Sequence, residues 1–461
     1  MTQIRTTRIF LGALLATSAL VAQQSQFQGS VSSGTASATP LALTLHDAID
    51  RGLKTNLGLL VSDSASESVR GQRLQALSVL LPQFHAQAGE TVEQLSLKTI
   101  GFNLTIPGVN IPTIVGPFHF TDVRAYASWD VFDYSARKNL RSVQEDKRAA
   151  QLSVADARDL VVQATASAYL QIIADASRTE AIRFQVDTAQ ALYDRAVDQQ
   201  NAGTAAGIDV LRSQVELKQQ QQRLLAQQNQ FDKDKLALGR VIGLPPGQDF
   251  NLAESAPFAP LTSLTQDQAL SAALMQRPDY ESYRARVRAA EESVKAAHGE
   301  RYPTASVTAD YGDIGPTLAT SHGTFSFVAS GKVNLFDGGR ISGDEIQAKA
   351  ALKQRRDELA DLAGQIDYQV RTAFLDIRTA SDQVAVAQDN LNLANQTLVQ
   401  ARDRFTAGVT DNIEVVQAQE SVANANQSLI SSIYNHNQAK VSLARAIGAT
   451  ETNLKQYMGA K

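Results

Sequence analysis

Five short landmarks occur twice in this chain of 461 residues, in the same order and at nearly the same spacings. The matched intervals are Ala48 to Pro82 and Ala269 to Pro303 (34 positions each), Asp133 to Gly203 and Asp337 to Gly408 (70 and 71), and Gly203 to Gly243 and Gly408 to Gly448 (40 each). Only Pro82 to Asp133 differs much from its counterpart, Pro303 to Asp337, at 51 against 34 positions. Ordered repetition of this kind indicates a duplicated structural unit. We therefore expect two copies of one unit, the first with an insertion of about seventeen residues.

A very long helix is the clearest element of each unit. Between Arg340 and Ala407 there is no proline, and apolar residues recur at alternating steps of three and four. These positions are Leu359, Ala363, Ile366, Val370, Ala373, Ile377, Ala380, Val384, Ala387, Leu391, Ala394, Leu398, Ala401 and Phe405. The pattern is typical of a coiled-coil seam, and its alanines let neighbouring helices approach closely. Such a helix spans on the order of 100 Å. The corresponding seam of the first unit is interrupted by Asp175 and Gln200.

The stretches between the helices predict β-strands. Residues 120–133 alternate Val123, Ala125, Ala127, Trp129 and Val131 with Arg124, Ser128 and Asp130. Residues 322–337 alternate Phe325, Phe327, Ala329, Gly331, Val333 and Leu335 with Thr324, Ser326, Ser330 and Lys332. A period of two with one apolar and one polar face is typical of strands in a membrane β-barrel, and equally of a half-buried sheet in a soluble protein.

The number of strands bears on oligomeric state. Each unit contributes one hairpin, so one chain has four such strands, whereas the smallest closed membrane barrels have about eight. An open sheet edge is not tolerated in lipid. If the four strands span a membrane, the protein must therefore be an oligomer.

The first residues have the layout of a secretory signal peptide. Arg5 and Arg8 precede an apolar run from Ile9 to about Val21, followed by small residues. We expect a signal peptide at 1–22 and a flexible segment at 23–40; an N-terminal membrane anchor is the alternative. After this segment the sequence has no run of eighteen apolar residues that would predict a membrane helix.

Composition excludes several classes of function. The chain has no cysteine, and its six histidines are scattered without a metal-binding spacing, so we expect no metal site. The net charge of −4 and the dispersed Lys and Arg residues argue against a nucleic-acid partner. No phosphate-binding loop and no nucleophile–base pair is evident, so neither a cofactor, a catalytic residue nor enzymatic activity is expected.

Taken together, these features resemble the TolC-type outer-membrane efflux protein family. The resemblance rests on the duplicated order of "LTLHDAI" at 43–49, the junctions Phe132-Asp133 and Phe336-Asp337, and the glycine turns at Gly203 and Gly408. It implies a mainly α fold with membrane β-strands: a duplicated unit of long coiled-coil helices and β-hairpins. Three chains would form a homotrimer with a 12-strand β-barrel in the outer membrane and a helical α-barrel reaching into the periplasm.

The resulting domain boundaries are as follows. The first repeat covers 41–243, with strands at about 83–132, and a linker covers 244–263. The second repeat covers 264–448, with strands at about 304–336, and a C-terminal tail covers 449–461.

The resemblance also implies functional residues around the two glycine turns. The turns, with Gly203, Gly207 and Gly408, would be periplasmic hairpin tips where an adaptor docks. Asp209, Glu414 and Gln417 would line the pore constriction, although acidic residues in the first turn of a helix are also favourable through the helix dipole alone. Thr410 and Phe405 stand where the family archetype has the arginine and tyrosine of a closing network, so that salt bridge cannot form here.

The predicted function is a passive exit duct in the outer membrane. It would serve a tripartite efflux or type I secretion system, opened by a periplasmic adaptor protein and an inner-membrane transporter and surrounded by outer-membrane lipid. The alternative is a periplasmic coiled-coil scaffold that forms no channel.

Overall fold

The computed structural model describes residues 27–99, 101, 112–204, 206–254, 258–259, 264–410, 412–448, 450–452 and 454. The predicted signal peptide at 1–22 lies outside these residues, as does most of the predicted C-terminal tail. Most of the described chain is helical.

The α-helices include two that are far longer than the rest. The helices are α1 (Leu45–Thr55), α2 (Leu57–Ser78), α3 (Tyr134–Asn201), α4 (Gly207–Val241), α5 (Gln266–Gln276), α6 (Pro278–Gly299), α7 (Arg340–Thr406) and α8 (Asn412–Ile447). The strands are β1 (Leu41–Leu43), β2 (Gln83–Ser96), β3 (Ile114–Phe132), β4 (Phe250–Leu252), β5 (Thr304–Gly315) and β6 (His322–Lys332). A capping box starts α1 at Thr44 and another starts α5 at Thr265. In each, the threonine hydroxyl accepts a hydrogen bond from a backbone amide of the first turn.

The chain divides into two compact units. Unit 1 comprises Met1–Ser66, Ala150–Ser282 and Leu359–Lys461, in so far as these ranges are described. Its core includes one cluster around Ile366, Val370 and Leu443 and another around Tyr169, Leu238 and Phe250. Every position of the predicted seam on α7 is buried or half-buried, which confirms the sequence pattern.

Unit 2 comprises Glu67–Ala149 and Tyr283–Glu358. It contains a four-stranded antiparallel sheet in the order β2-β3-β5-β6. Its helical part packs α6 against the start of α3: the Ser142 hydroxyl donates to the Ala289 carbonyl at 2.9 Å, and Lys138 pairs with Glu292 at 2.9 Å.

Some segments differ from the sequence expectations. Strand β6 ends at Lys332, so Val333 and Leu335 lie beyond it, although the alternating pattern includes them. The described part of the predicted linker contributes β4, which pairs in parallel with β1. Short apolar strands of three residues give too little periodicity to be recognised in a sequence.

The segment expected to be flexible makes specific contacts where it is described. The Val31 amide donates to the Thr55 carbonyl at 2.9 Å, and the Asn56 side chain donates to the Phe27 carbonyl at 2.8 Å. The Phe27 ring lies so close to Gly58 that a Cβ there would be 2.5 Å from it. In the tail, Leu454 is buried and Glu451 pairs with Arg158 at 2.6 Å. The Ser- and Gly-rich composition of the segment before Leu41 gave no indication of its contacts.

None of the helices in the described part of the chain combines the length and the apolar character needed to cross a membrane.

Candidate functional site

Two helical hairpins, α3–α4 and α7–α8, reverse direction within unit 1, and both do so with the same type of turn. In the first, the Thr204 amide donates to the Gln199 carbonyl and the Gly203 amide to the Gln200 carbonyl, both at 2.9 Å. In the second, Val409 donates to Arg404 at 3.0 Å and Gly408 to Phe405 at 3.1 Å. This is the Schellman pattern, which satisfies the last carbonyls of a helix.

The pattern requires a left-handed residue at its centre. Gly203 has φ +73° and Gly408 has φ +71°, values that residues with a Cβ rarely adopt. Gly207 differs from both: it is the first residue of α4, and its φ is not positive. The reversal of the chain therefore depends on Gly203 and Gly408 but not on Gly207, because an ordinary residue can begin a helix.

The two predicted carboxylates lie in the first turns of the returning helices. Asp209 is in the first turn of α4 and pairs with Arg212 at 3.5 Å. Glu414 is in the first turn of α8 and pairs with Arg404 at the end of α7, at 3.0 Å. The Gln417 side chain is exposed, one turn further along α8. Within the described part of one chain, no hydrogen bond or ion pair joins Asp209 to Glu414 or Gln417.

The two hairpins contact each other near their tips. The Arg195 guanidinium of α3 lies over the Phe405 ring of α7, 5.5 Å from its centroid, and donates to the Thr406 hydroxyl at 3.5 Å. Leu192 packs against the adjacent cluster of Ala401, Val415 and Ala418. Phe405 lacks the hydroxyl of the tyrosine that stands at this position in the family archetype. Its ring instead contacts the Arg195 cation through its face.

Sequence reasoning missed Arg195 and Arg404. Arg404 lies ten positions before Glu414, across a turn whose position was predicted, so the pairing was open to a geometric argument. The contact between Arg195 and Phe405 joins residues more than two hundred positions apart, and nothing in the local sequence announces it.

The sheet of unit 2 has two chemically different faces, as its register shows. One face carries Phe84, Ala86, Ala88, Val123, Ala125, Ala127, Trp129, Val307, Ala309, Tyr311, Phe325, Phe327 and Ala329, with Asp313 beside Val123 toward one end. On this face Phe84 is 78% exposed, Phe325 79% and Phe327 67%. A contiguous apolar surface of this kind is rare on a soluble monomer and indicates contact with lipid or protein.

The opposite face of the sheet is polar. Arg124 forms ion pairs with Asp122, at 3.3 Å, and with Asp310 on the neighbouring strand, and donates to the Thr324 hydroxyl at 2.9 Å. Ser306 and Ser330 share a hydrogen bond across β5 and β6. Of the two predicted strand patterns, the β3 alternation is therefore confirmed up to Asp130, where the register with β5 shifts.

Comparison with known proteins places these features in one family. The family model for outer membrane efflux proteins matches residues 48–244 and again 269–449. Among relatives, the pyoverdine export outer membrane protein OpmQ of Pseudomonas aeruginosa is 22% identical over 87% of this chain and 85% of its own length. The toluene efflux pump outer membrane protein TtgC of Pseudomonas putida is 24% identical over 67% of this chain and 65% of its own length.

Solved structures agree in fold. The outer membrane protein VceC of Vibrio cholerae has a TM-score of 0.76 at 19% identity, covering 88% of this chain and 96% of its own. The CmeC outer membrane channel of Campylobacter jejuni has a TM-score of 0.77 at 17% identity, covering 94% and 95%. With the family model matching well over half of the sequence, the chain belongs to the outer membrane efflux protein family.

Proposed function

We propose that this outer-membrane protein is the passive exit duct of a tripartite efflux or type I secretion system. The observation that most directly supports the proposal is the sheet with one exposed apolar face and one polar face. In a membrane barrel the apolar face contacts lipid and the polar face lines water. The Arg124 cluster would then face the lumen, where the Asp122 and Asp310 carboxylates compensate the guanidinium charge.

The homotrimer belongs to the same proposal, and the edges of the sheet support it. Among the residues that the structure describes, strands β2 and β6 each have a partner on one side only, and lipid does not tolerate an open edge. Four strands are too few to close on themselves. The strands alternate in direction, so β6 of one chain can pair antiparallel with β2 of the next. Three chains then give twelve strands.

The duplication and the repeat boundaries belong to the same proposal. Each half, 41–243 and 264–448, has two short helices, a strand pair, a very long helix, a glycine turn and a returning helix. The twofold match of the family model supports this division. The long helices would form the wall of the α-barrel, since α3 has 68 residues and α7 has 67.

The narrowest part of the duct would lie at the hairpin tips. There Glu414 and Gln417, with Asp209 on the first hairpin, would come together from three chains into a polar ring. The tips around Gly203 and Gly408, with Gly207 beside the first, would receive the periplasmic adaptor. The inner-membrane transporter would supply the energy, because a passive duct has none of its own.

Single-channel recording tests the proposal. The protein, purified in detergent and inserted into planar lipid bilayers, is expected to give stepwise conductance that divalent cations block from the tip side. Glu414→Gln should weaken the block, since the ring then keeps only its Asp209 carboxylates. Glu420→Gln, which removes a carboxylate from the same helix away from the tip, should leave it unchanged.

The scaffold alternative gives the opposite results. A periplasmic coiled-coil scaffold would be released without detergent and would give no conductance steps. If cations block the wild type and Glu414→Gln equally, the protein is a channel, but Glu414 does not line its constriction.

A further inference from the structure

A cavity of about 580 Å³ lies between the two helical hairpins of unit 1. Its walls come from all four helices, with Phe184 on α3, Glu216 and Gln220 on α4, Leu391 on α7 and Gln419 on α8. The volume is in the range of sites that hold small organic molecules, about 300–1,000 Å³. The cavity is separate from the tips, and neither Glu414 nor Gln417 lines it.

One wall of the cavity carries a buried acid with an inadequate partner. Glu216 is only 7% exposed, and the hydrogen bond it receives comes from the neutral Gln220 amide at 2.7 Å. Within the described part of the chain, no lysine or arginine forms an ion pair with Glu216. A carboxylate removed from water is costly unless a cation and further donors compensate for it.

Two side-chain amides on the cavity wall, Gln220 and Gln419, each have one buried atom with unused bonding capacity. Gln220 is 3% exposed, and no donor among the residues that the structure describes bonds its Oε1 atom. The Nε2 atom of Gln419 on the facing helix donates none. Buried polar atoms are normally satisfied in folded proteins, so these two atoms have the capacity to bond a ligand that enters the cavity.

The remaining lining residues indicate which other chemical groups a ligand of this cavity would carry. Leu391, Leu398 and Val422 supply apolar wall, and the Phe184 ring is 75% exposed at the same cavity. The formal charge of the lining is negative, because Glu180 and Glu216 outnumber Arg402. An aromatic face attracts a cation, and apolar walls favour a hydrophobic body.

We propose that this cavity binds a small amphipathic amine. The protonated nitrogen donates to the Glu216 carboxylate and to the free Gln220 Oε1 atom, which lie one helical turn apart. The apolar body of the amine packs against Leu391 and Leu398. Because the ligand contacts both hairpins, its binding holds them together. This site requires only the fold of a single chain, so it is independent of the channel function proposed above.

The test uses dansylcadaverine, a primary amine with a fluorescent aromatic body, and its neutral N-acetyl derivative. Dansyl fluorescence is titrated on the purified full-length protein in detergent. We expect saturable binding of one dansylcadaverine per chain, and at least about tenfold weaker binding of the acetylated probe. Glu216→Gln should weaken dansylcadaverine binding by about the same factor, whereas Glu420→Gln, outside the cavity, should not change it.

A second variant covers the case in which Glu216→Gln does not assemble. Phe184 is largely exposed, so Phe184→Leu should fold normally and bind dansylcadaverine about two- to fivefold more weakly. Equal affinity for the amine and its acetylated form would overturn the proposal. So would equal affinity in Glu216→Gln and Glu420→Gln, because micelles alone would then account for the signal. Either result would leave the conductance test unaffected.

Discussion

At the scale of single residues, α8 buries two basic side chains. His436 and Lys440 are both 0% exposed, and the Phe258 ring lies 5.1 Å from the His436 ring. Burial lowers the pKa of His436, with a further contribution from the Lys440 charge. Burial also lowers the pKa of Lys440, whose ammonium donates to the Ala259 carbonyl.

The lowered pKa of His436 predicts acid sensitivity. With a folded pKa below its ordinary value of about 6.5, His436 binds protons more readily in the unfolded chain than in the folded one. Stability should therefore fall as the pH is lowered from 7.5 through 6.5. We expect the thermal midpoint of the helical circular dichroism signal to drop between pH 7.5 and 5.5, and His436→Gln to reduce that drop.

Other buried groups also make stability depend on pH, so the measurement needs a control. Burial raises the pKa of Asp156 and of Asp159, so these carboxyls stabilise the fold as the pH falls through their folded pKa values. The comparison must therefore be between wild type and variant rather than between two pH values alone. His322→Gln, at an exposed position, should retain the full pH dependence. An unchanged drop in His436→Gln would contradict the prediction.

The contact between Arg195 and Phe405 predicts an effect on gating. If the two hairpins must separate for the duct to open, removing the cation over the ring weakens the closed state. A contact of this type at an exposed position corresponds to about a two- to fivefold change in an equilibrium. Arg195→Ala should raise the open probability in single-channel recordings by about that factor. Arg183→Ala removes an exposed arginine from the same helix and should have no effect; equal changes in both variants would exclude the contact as a latch.

At the scale of secondary-structure elements, the periodic features were the predictable ones. The seam of α7 follows from steps of three and four residues, and both glycine turns follow from a glycine that ends a long apolar pattern. The strand limits were less accurate, because Val333 and Leu335 continue the alternation beyond the last paired residue, Lys332. Alternation describes which face a side chain would occupy but not whether a neighbouring strand is present.

Contacts between distant elements could not be predicted in this way. The Arg195–Phe405 pair and the cavity around Glu216 depend on how the two hairpins pack, which no local pattern encodes. In the same way, Asp175 interrupts the seam of α3 but is buried, because Arg178 and the Gln227 amide of α4 both donate to its carboxylate. The sequence pattern showed that Asp175 interrupts the seam, but it did not predict Arg178 and Gln227 as its partners.

The first tip offers a matched test of the turn. Gly203 has a positive φ, and a Cβ added there would meet no atom of the described residues within 4 Å. The cost of Gly203→Ala is therefore conformational, about 1–2 kcal/mol. Of the atoms that the structure describes, Gly207→Ala meets only the flexible Gln200 amide, at 3.2 Å, and the φ of Gly207 is not positive. Hydrogen exchange of the Ala202 and Thr204 amides should accelerate about five- to thirtyfold in Gly203→Ala and stay the same or slow in Gly207→Ala. Equal acceleration in both would show that the left-handed turn is not what orders this tip.

At the scale of the whole molecule, the open edges of the sheet are the decisive feature. Strand β2 has no partner beyond β3, and β6 has none beyond β5, in the described part of the chain. A sheet whose exposed face is this apolar would aggregate through its edges unless other strands covered them. In a symmetric ring each chain offers β6 to the β2 edge of its neighbour, so both edges are satisfied by one repeated contact.

This arrangement can be tested by covalent capture, because the natural chain contains no cysteine. Gln87 on β2 and Ser326 on β6 both lie on the polar face and are exposed, so cysteines there should not disturb the apolar face. The double variant Gln87→Cys/Ser326→Cys, treated with a bis-maleimide linker, should give covalent dimers and trimers on a denaturing gel. Each single variant has one cysteine per chain and can link at most two chains, so it cannot produce a trimer. Only monomers from the double variant, despite complete maleimide labelling, would mean that β2 and β6 of different chains are not neighbours, and the closed twelve-stranded wall would have to be abandoned.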